Sequence, residues 1–215
     1  MMTTAALPRP KPPRASPTAH SSGLPDTPML RLRTALPLAV VAGVLLDLST
    51  PDVGWWPLAF IGVGLSLATL IGRSIGGALA VGLLFGASFY TLHLAWVGEF
   101  LGPVPRLALS GLETLLLGLG AIPLSFAYRW TRRLPPRGAI QLAVVSVMIG
   151  GLWTAREVAV GSWPYSGFPW ARLGMTQVNG PFPEAASWIG VTGLSFLVAV
   201  TSAALVQWIR AGGLV

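Results

Sequence analysis

An all-α fold, a polytopic transmembrane bundle of about six spans with both termini in the cytoplasm, is what this sequence predicts. Three observations lead there. Only 10% of the 215 residues are charged while 53% are apolar, and the mean hydropathy is +0.69. A water-soluble domain normally carries about a quarter charged residues, so there is too little charge to cover a soluble surface and lipid must be the solvent for most of the chain. Apolar stretches then recur from residue 34 to residue 209, and the basic residues gather at alternate interruptions between them.

Residues 1–30 stand apart. Pro8, Pro10, Pro12, Pro13, Pro17, Pro25 and Pro28 alternate with Arg9, Lys11, Arg14 and several Ser and Thr. Such a segment has no apolar payload to offset the entropy of ordering, so a disordered cytoplasmic tail is expected. No apolar run follows the initial methionines before Leu30, so no signal peptide is expected.

The first apolar span, residues 34–48, is short for a bilayer and turns at Ser49-Thr50-Pro51-Asp52 into the second, 53–71, which opens on Trp55 and Trp56. Arg73 separates that from a third span, 75–100; a fourth covers 107–130, a fifth 139–159 and a sixth 185–209. A helix rises about 1.5 Å per residue and the hydrocarbon core is about 30 Å thick, so about twenty residues suffice to cross it. Spans three to six pass that test. The first two read as a tilted or partly re-entrant hairpin. With the amino terminus inside, eleven basic residues fall on the cytoplasmic side (Arg9, Lys11, Arg14, Arg31, Arg33, Arg73, Arg129, Arg132, Arg133, Arg137, Arg210) and three outside (Arg106, Arg156, Arg172). That bias sets the orientation and places the loop 160–184 on the outer side of a multi-pass membrane protein.

Composition also excludes chemistry. There is no cysteine, hence no disulfide, thiolate nucleophile or cysteine-ligated metal. Two histidines, His20 and His93, lie far apart, so neither a metal nor any other cofactor is expected. The net charge of +7 belongs to topology and implies no nucleic-acid partner.

A few polar groups interrupt the apolar background. Glu113 sits inside the fourth span, where a carboxylate costs about 2.5 kcal/mol or more on insertion scales and must face protein or water. It is a candidate contact to substrate or headgroup, although a protonated or hydrogen-bonded packing residue is the ordinary explanation. Arg106, seven residues earlier, is its expected long-range partner if the helix starts early. His93 and Trp96 are three apart in the third span; a buried, hydrogen-bonded histidine is the ordinary reading there, and Trp96 is a candidate contact. Gly62 with Gly64, Gly82 with Gly86, and Gly118 with Gly120 predict close helix packing.

The outward loop is different in kind. Trp153, Arg156 and Glu157 end the fifth span, and Trp163, Pro164, Tyr165, Phe168, Pro169 and Trp170 follow, then Gly174, Gln177, Asn179, Gly180 and Pro181. An interfacial aromatic belt explains one or two such rings. Proline and glycine in this succession predict a defined conformation, a platform for an amphipathic ligand or another domain.

These residues resemble the apolipoprotein N-acyltransferase family. Carrying the resemblance are Trp153 with Glu157, Gly167-Phe168-Pro169-Trp170, Gly174, Gln177, Gly180-Pro181, Gly190 and Phe196. Pro51-Asp52-Val53, Trp56-Pro57, Gly82, Gly86 and Trp96 support it. It covers about residues 34–210. Two departures stand out: Val160 occupies a position where members often carry arginine, with Arg156 preceding the glutamate instead, and the loop is one residue longer before Phe168.

The resemblance implies an enzyme whose cysteine, in a periplasmic nitrilase-like domain with a glutamate–lysine–cysteine site, takes an acyl chain from a membrane phospholipid. The chain then passes to the N-terminal cysteine of a diacylglyceryl lipoprotein. This sequence has no thiol, and its one lysine is Lys11. It is therefore expected to lack the catalytic domain, to carry no catalytic residue, and to be inactive alone, with a separate catalytic domain as a partner. Trp153, Glu157, Phe168, Trp170, Gln177, Trp96 and Glu113 are the expected lipid or substrate contacts. The alternative is a non-enzymatic anchor for a polyprenol-phosphate mannosyltransferase or other glycosyltransferase. A small transporter is weaker, because no polar residues repeat across the spans.

Overall fold

The computed structural model describes residues 28–131, 138–164 and 166–212. The proline-rich tail, up to residue 27, and the arginines at 132, 133 and 137 lie outside the described residues. Every regular element among those described is helical. In chain order they are α1 (Leu32–Leu48), α2 (Pro57–Leu70), α3 (Ile75–His93), α4 (Ala95–Leu101), α5 (Pro103–Trp130), α6 (Ala139–Val160) and α7 (Ala186–Arg210). Four segments are long and apolar enough to cross a membrane: Ile75–His93, Pro103–Trp130, Ala139–Val160 and Pro183–Arg210. In each, only 33% to 39% of the apolar window is buried inside the protein. The remaining apolar surface faces outward, which is stable in lipid and not in water.

Local chemistry accounts for three of the seven helix starts. Pro57 opens α2 and Pro103 opens α5, positions where a missing N–H costs nothing. Ser74 caps α3 by accepting the Gly77 N–H at 3.3 Å. Gly102, at φ +85°, reverses the chain between α4 and α5.

Two boundaries differ from the hydropathy pattern. The third span is two helices, broken at Leu94 (φ −98°, ψ 19°). The Arg106 guanidinium donates to the Thr91 carbonyl at 2.8 Å, and Ser110 Oγ donates to the Tyr90 carbonyl at 3.3 Å. Side chains of α5 thus take up carbonyls at the end of α3, and Leu94 itself is fully buried. This also corrects the expected Arg106–Glu113 pair. The helix does start early, but Arg106 turns to α3 while Glu113 interacts with Tyr90 and Arg156. The sixth span is likewise interrupted, since Gly190 sits at φ 69°, ψ 170°, so the residues from Pro183 leave the α7 axis.

The six long helices close a ring in which α3 meets α1 and α5, α6 lies between α5 and α7, and α2 joins α7 back to α1. Close approach at glycines makes this possible. A Cβ at Gly82 would lie 2.6 Å from Ala121 Cβ and 3.0 Å from Gly118 Cα, so α3 and α5 touch nearly backbone to backbone. A Cβ at Gly62 would meet the Ala42 carbonyl at 2.8 Å. The turn 49–56, α4 and the loop 161–185 collect at one end of the ring, called here the loop end. At the opposite end Arg73, only 5% exposed, donates to the Thr69 carbonyl at 2.8 Å and the Leu30 carbonyl at 2.7 Å. Its own carbonyl accepts Ser125 Oγ at 2.9 Å. Arg73 thereby ties α2 and the start of α1 through its guanidinium and α5 through its backbone carbonyl.

Gly82→Val should force α3 and α5 apart and destabilise the bundle by about 1–3 kcal/mol, the usual range for overpacking. Gly76→Ala, where an added Cβ meets nothing within 4 Å, should be neutral or nearly so. Thermal unfolding in detergent micelles separates the two outcomes.

Candidate lipid-facing site at the loop end

The loop after α6 is a folded insertion whose backbone is tied at short intervals. Phe168 N–H donates to the Val160 carbonyl at 2.9 Å, turning the chain back over the end of α6. Gly167 makes this turn at φ +77°, pressed so closely on Gly161 and Ser162 that any side chain would collide with their backbone. Two 3-10 turns follow, Pro169–Ala171 and Leu173–Gln177. The second wedges onto α7: Gly174 N–H donates to Ser195 Oγ at 2.8 Å, and a Cβ there would strike the Val191 carbonyl.

Glu157 anchors the insertion. Its carboxylate is 6% exposed, and Oε1 accepts Trp153 Nε1–H at 2.8 Å and the Leu173 N–H at 3.0 Å. The Arg156 Nη2 lies 3.9 Å from the same oxygen. Arg156 stacks over Trp153, 5.3 Å from the ring centroid. Its stem passes over Gly120, where a Cβ would sit 2.5 Å from Arg156 Cδ. One acidic oxygen thus joins the last turns of α6 to the loop and fixes an arginine and an indole beside it.

These parts enclose a cavity of about 420 Å³ between α1, α3, α4, α5, α6 and the loop. Its walls are apolar and aromatic, with polar groups at separate points: Arg156, Glu157 and Arg172 on the α6 side, Asp52 and His93 on the other. Trp96 and Trp170 meet at the rim with ring centroids 6.2 Å apart and remain 41% and 65% exposed. His93 stacks on Phe89 at 5.0 Å and 14°, with Nδ1 3.8 Å from Asp47 Oδ1. An apolar chamber with a few fixed charges and an indole-lined mouth suits an amphipathic molecule. Among the described residues no three His, Asp or Glu side chains gather as a metal site would require.

Of the residues the sequence marked, Trp96, Trp153, Glu157 and Trp170 line this cavity. Phe168 lies in an adjoining cleft with Tyr90, Arg156 and Glu157. Glu113, 2% exposed, stands behind the wall against Tyr90, with Arg156 near. Gln177 points elsewhere, into a hollow between α2 and α7, and donates to Thr176 Oγ1 at 2.8 Å. Sequence reasoning passed over Tyr90, Arg156 and Arg172 as wall residues. The spacing of Tyr90 and His93, three residues apart on α3, was the signal for that wall.

Glu157→Ala should leave the Leu173 N–H and the Trp153 indole N–H without acceptors, at about 1–3 kcal/mol for each buried orphan. Glu157→Gln, which keeps an oxygen in place, should cost less. Amide exchange at Leu173 and limited proteolysis within 161–185 should therefore rise in the order wild type, Gln, Ala. Equal protection in all three would remove Glu157 from this role.

The family model described as the apolipoprotein N-acyltransferase N-terminal domain matches residues 42–204. An apolipoprotein N-acyltransferase of Azotobacter vinelandii is 34% identical over 177 residues, covering 79% of this chain and 33% of that protein. One from Geobacter metallireducens is 33% identical over 192 residues, covering 87% of this chain and 36% of the relative. A third, from Mycolicibacterium smegmatis, is 40% identical over 92 residues, or 40% and 16% of the two chains. Over the first two matches the chain spans about a third of the length of the curated relatives. With the fold, the loop motif and these matches together, the chain belongs to the apolipoprotein N-acyltransferase family, in the region of its N-terminal membrane domain.

Proposed function

We propose that this chain is the membrane-embedded part of a phospholipid–apolipoprotein N-acyltransferase, the enzyme that N-acylates the N-terminal cysteine of lipoproteins during their maturation. The observation that carries the reading is the loop-end cavity. It is large enough for part of a lipid, walled by apolar and aromatic side chains, and bordered by the charges of Arg156, Arg172 and Asp52. Relatives named for acyl transfer to apolipoprotein support a diacyl phospholipid as donor and a diacylglyceryl lipoprotein as acceptor.

In this reading the chain is a multi-pass protein of the bacterial inner membrane with both termini in the cytoplasm. The ring of helices holds acyl chains, and the loop end, at the outer face of the bilayer, presents the headgroup side. Trp96 and Trp170 form the mouth, Trp153 and Phe168 the interior surface, and Glu157 keeps Arg156 and the loop in register. Glu113 supports the wall through Tyr90. The acyl step itself requires an activated thiolate. None of the 215 residues is a cysteine, so a nitrilase-like domain outside these residues supplies it, and these residues alone give no turnover.

Three measurements bear on this. A cysteine placed at Trp170 is the sole thiol of these 215 residues and should react with a membrane-impermeant maleimide when they are expressed in intact cells; labelling only after lysis puts the loop in the cytosol and overturns the orientation. Trp96→Ala combined with Trp170→Ala should weaken binding of a photoreactive diacyl phospholipid about tenfold, equivalent to about 1.4 kcal/mol, and unchanged binding removes the mouth from the site. Lipoprotein acylation by the purified chain should be nil, and any turnover refutes the division of labour.

A further inference from the structure

His93 is the last residue of α3 and stands where the loop-end cavity opens. Its imidazole lies flat on Phe89, at 5.0 Å and 14°, so the ring plane is fixed and each nitrogen has one direction. Nδ1 faces Asp47 Oδ1 of α1 at 3.8 Å; it is buried and has no hydrogen-bond partner among the described residues. The ring also hydrogen-bonds the backbone of Trp170 in the loop. With Nδ1 turned to Asp47, the opposite nitrogen makes that bond, its N–H donating to the Trp170 carbonyl. Trp170 forms the mouth with Trp96, so one imidazole links the first helix to the cavity's rim.

The arrangement lacks one hydrogen. An imidazole that donates to Trp170 carries a lone pair on Nδ1 when neutral, and an ionised Asp47 offers only acceptors, so two acceptors face each other. The surrounding charges do not fill the gap. Arg106 donates to the Thr91 carbonyl, Arg172 to Thr192 Oγ1, and Arg156 lies beside Glu157 on the far wall. Asp52, on the turn after α1, is a further carboxylate acting on the ring, and Glu99 of α4 is no part of the cavity wall. A proton taken from water at the rim satisfies Nδ1 and Oδ1 together. It leaves an imidazolium facing a carboxylate, and a charged ring donates a bond about twice as strong as a neutral one. Proton uptake on the Asp47 side thus tightens the hold on Trp170 on the other.

We propose that His93 is a positioning residue for the cavity's mouth: it shares a proton with Asp47 and, so charged, latches the loop at Trp170 to the end of α3. Release of that proton weakens the latch, so the mouth is tighter in acid and looser in base. Histidine is the side chain whose charge changes in the range of about pH 5 to 8. The consequence for lipid entry rests on the lipid reading of the cavity, whereas the latch itself does not.

Fluorine NMR of the fluorotryptophan-labelled chain in lipid nanodiscs tests it. The Trp170 signal is assigned by its loss in Trp170→Phe, and the signal of Trp153, 4% exposed, reports that the bundle is intact. The expected result is a single titration step of the Trp170 signal between about pH 5 and pH 8, with Trp153 unmoved. His93→Phe keeps a ring on Phe89 and should abolish the step, leaving Trp170 at its alkaline position throughout. Asp47→Asn, whose neutral amide no longer holds the proton, should move the step toward lower pH by about one unit. A wild-type Trp170 signal that does not titrate, a step that survives in His93→Phe, or a step unmoved in Asp47→Asn would each overturn the proposal. Binding of the photoreactive diacyl phospholipid, followed in parallel, separates the latch from the lipid reading. A titrating Trp170 with no lipid bound at any pH keeps the latch and removes the lipid cavity, and lipid binding with a silent Trp170 signal does the reverse.

Discussion

The loop end depends on one buried carboxylate oxygen. An irregular segment that dips into a membrane protein must have its backbone donors satisfied by the protein, because lipid offers no partner. Oε1 of Glu157 accepts both the Leu173 amide and the Trp153 indole, so the loop's re-entry and the cavity's aromatic wall share an acceptor. Arg156 sits 3.9 Å away and balances its charge. Without this node, the 3-10 turn Leu173–Gln177 would have a buried N–H with no acceptor, and the packing of Gly174 against α7 would lose its register.

The ring beneath is set by a different economy. Apolar burial drives little between helices already in lipid, so the contacts that matter are those where backbones meet. Gly82, Gly118 and Gly62 provide them. This leaves the polar residues to a few fixed tasks: Arg73 closes one end by binding three elements, while Glu113 and Tyr90 brace the other from inside the wall.

Hydropathy was enough for the all-helical architecture because lipid imposes a length and a polarity on each span. It did not show the break at Leu94, since no Gly or Pro marks it and the interruption arises from Arg106 and Ser110, which approach from another helix. The same applies to Glu113, whose partners Tyr90 and Arg156 lie on α3 and α6 and not along its own helix. The site was legible where chemistry is local: Trp153 and Glu157 are one turn apart and bond to each other, and the glycines of the loop declare tight turns. Gln177 belongs to the same run of loop residues, yet its side chain falls on the other side of α7's contact with the loop. Sequence adjacency carries no information on which wall a 3-10 turn faces.

The interruption at Gly190 has a consequence for how the protein rides in its solvent. Residues from Pro183 to Ile189 are released from the α7 axis and carry Trp188, 88% exposed, close in sequence to Phe182 at 74%, while Trp163 on the same loop is 68% exposed. Indole rings settle at the level of the lipid glycerols. Two such indoles, with the Phe182 ring beside them, form a waterline at the loop end that favours one depth of the chamber's opening in a bilayer over sinking or tilting.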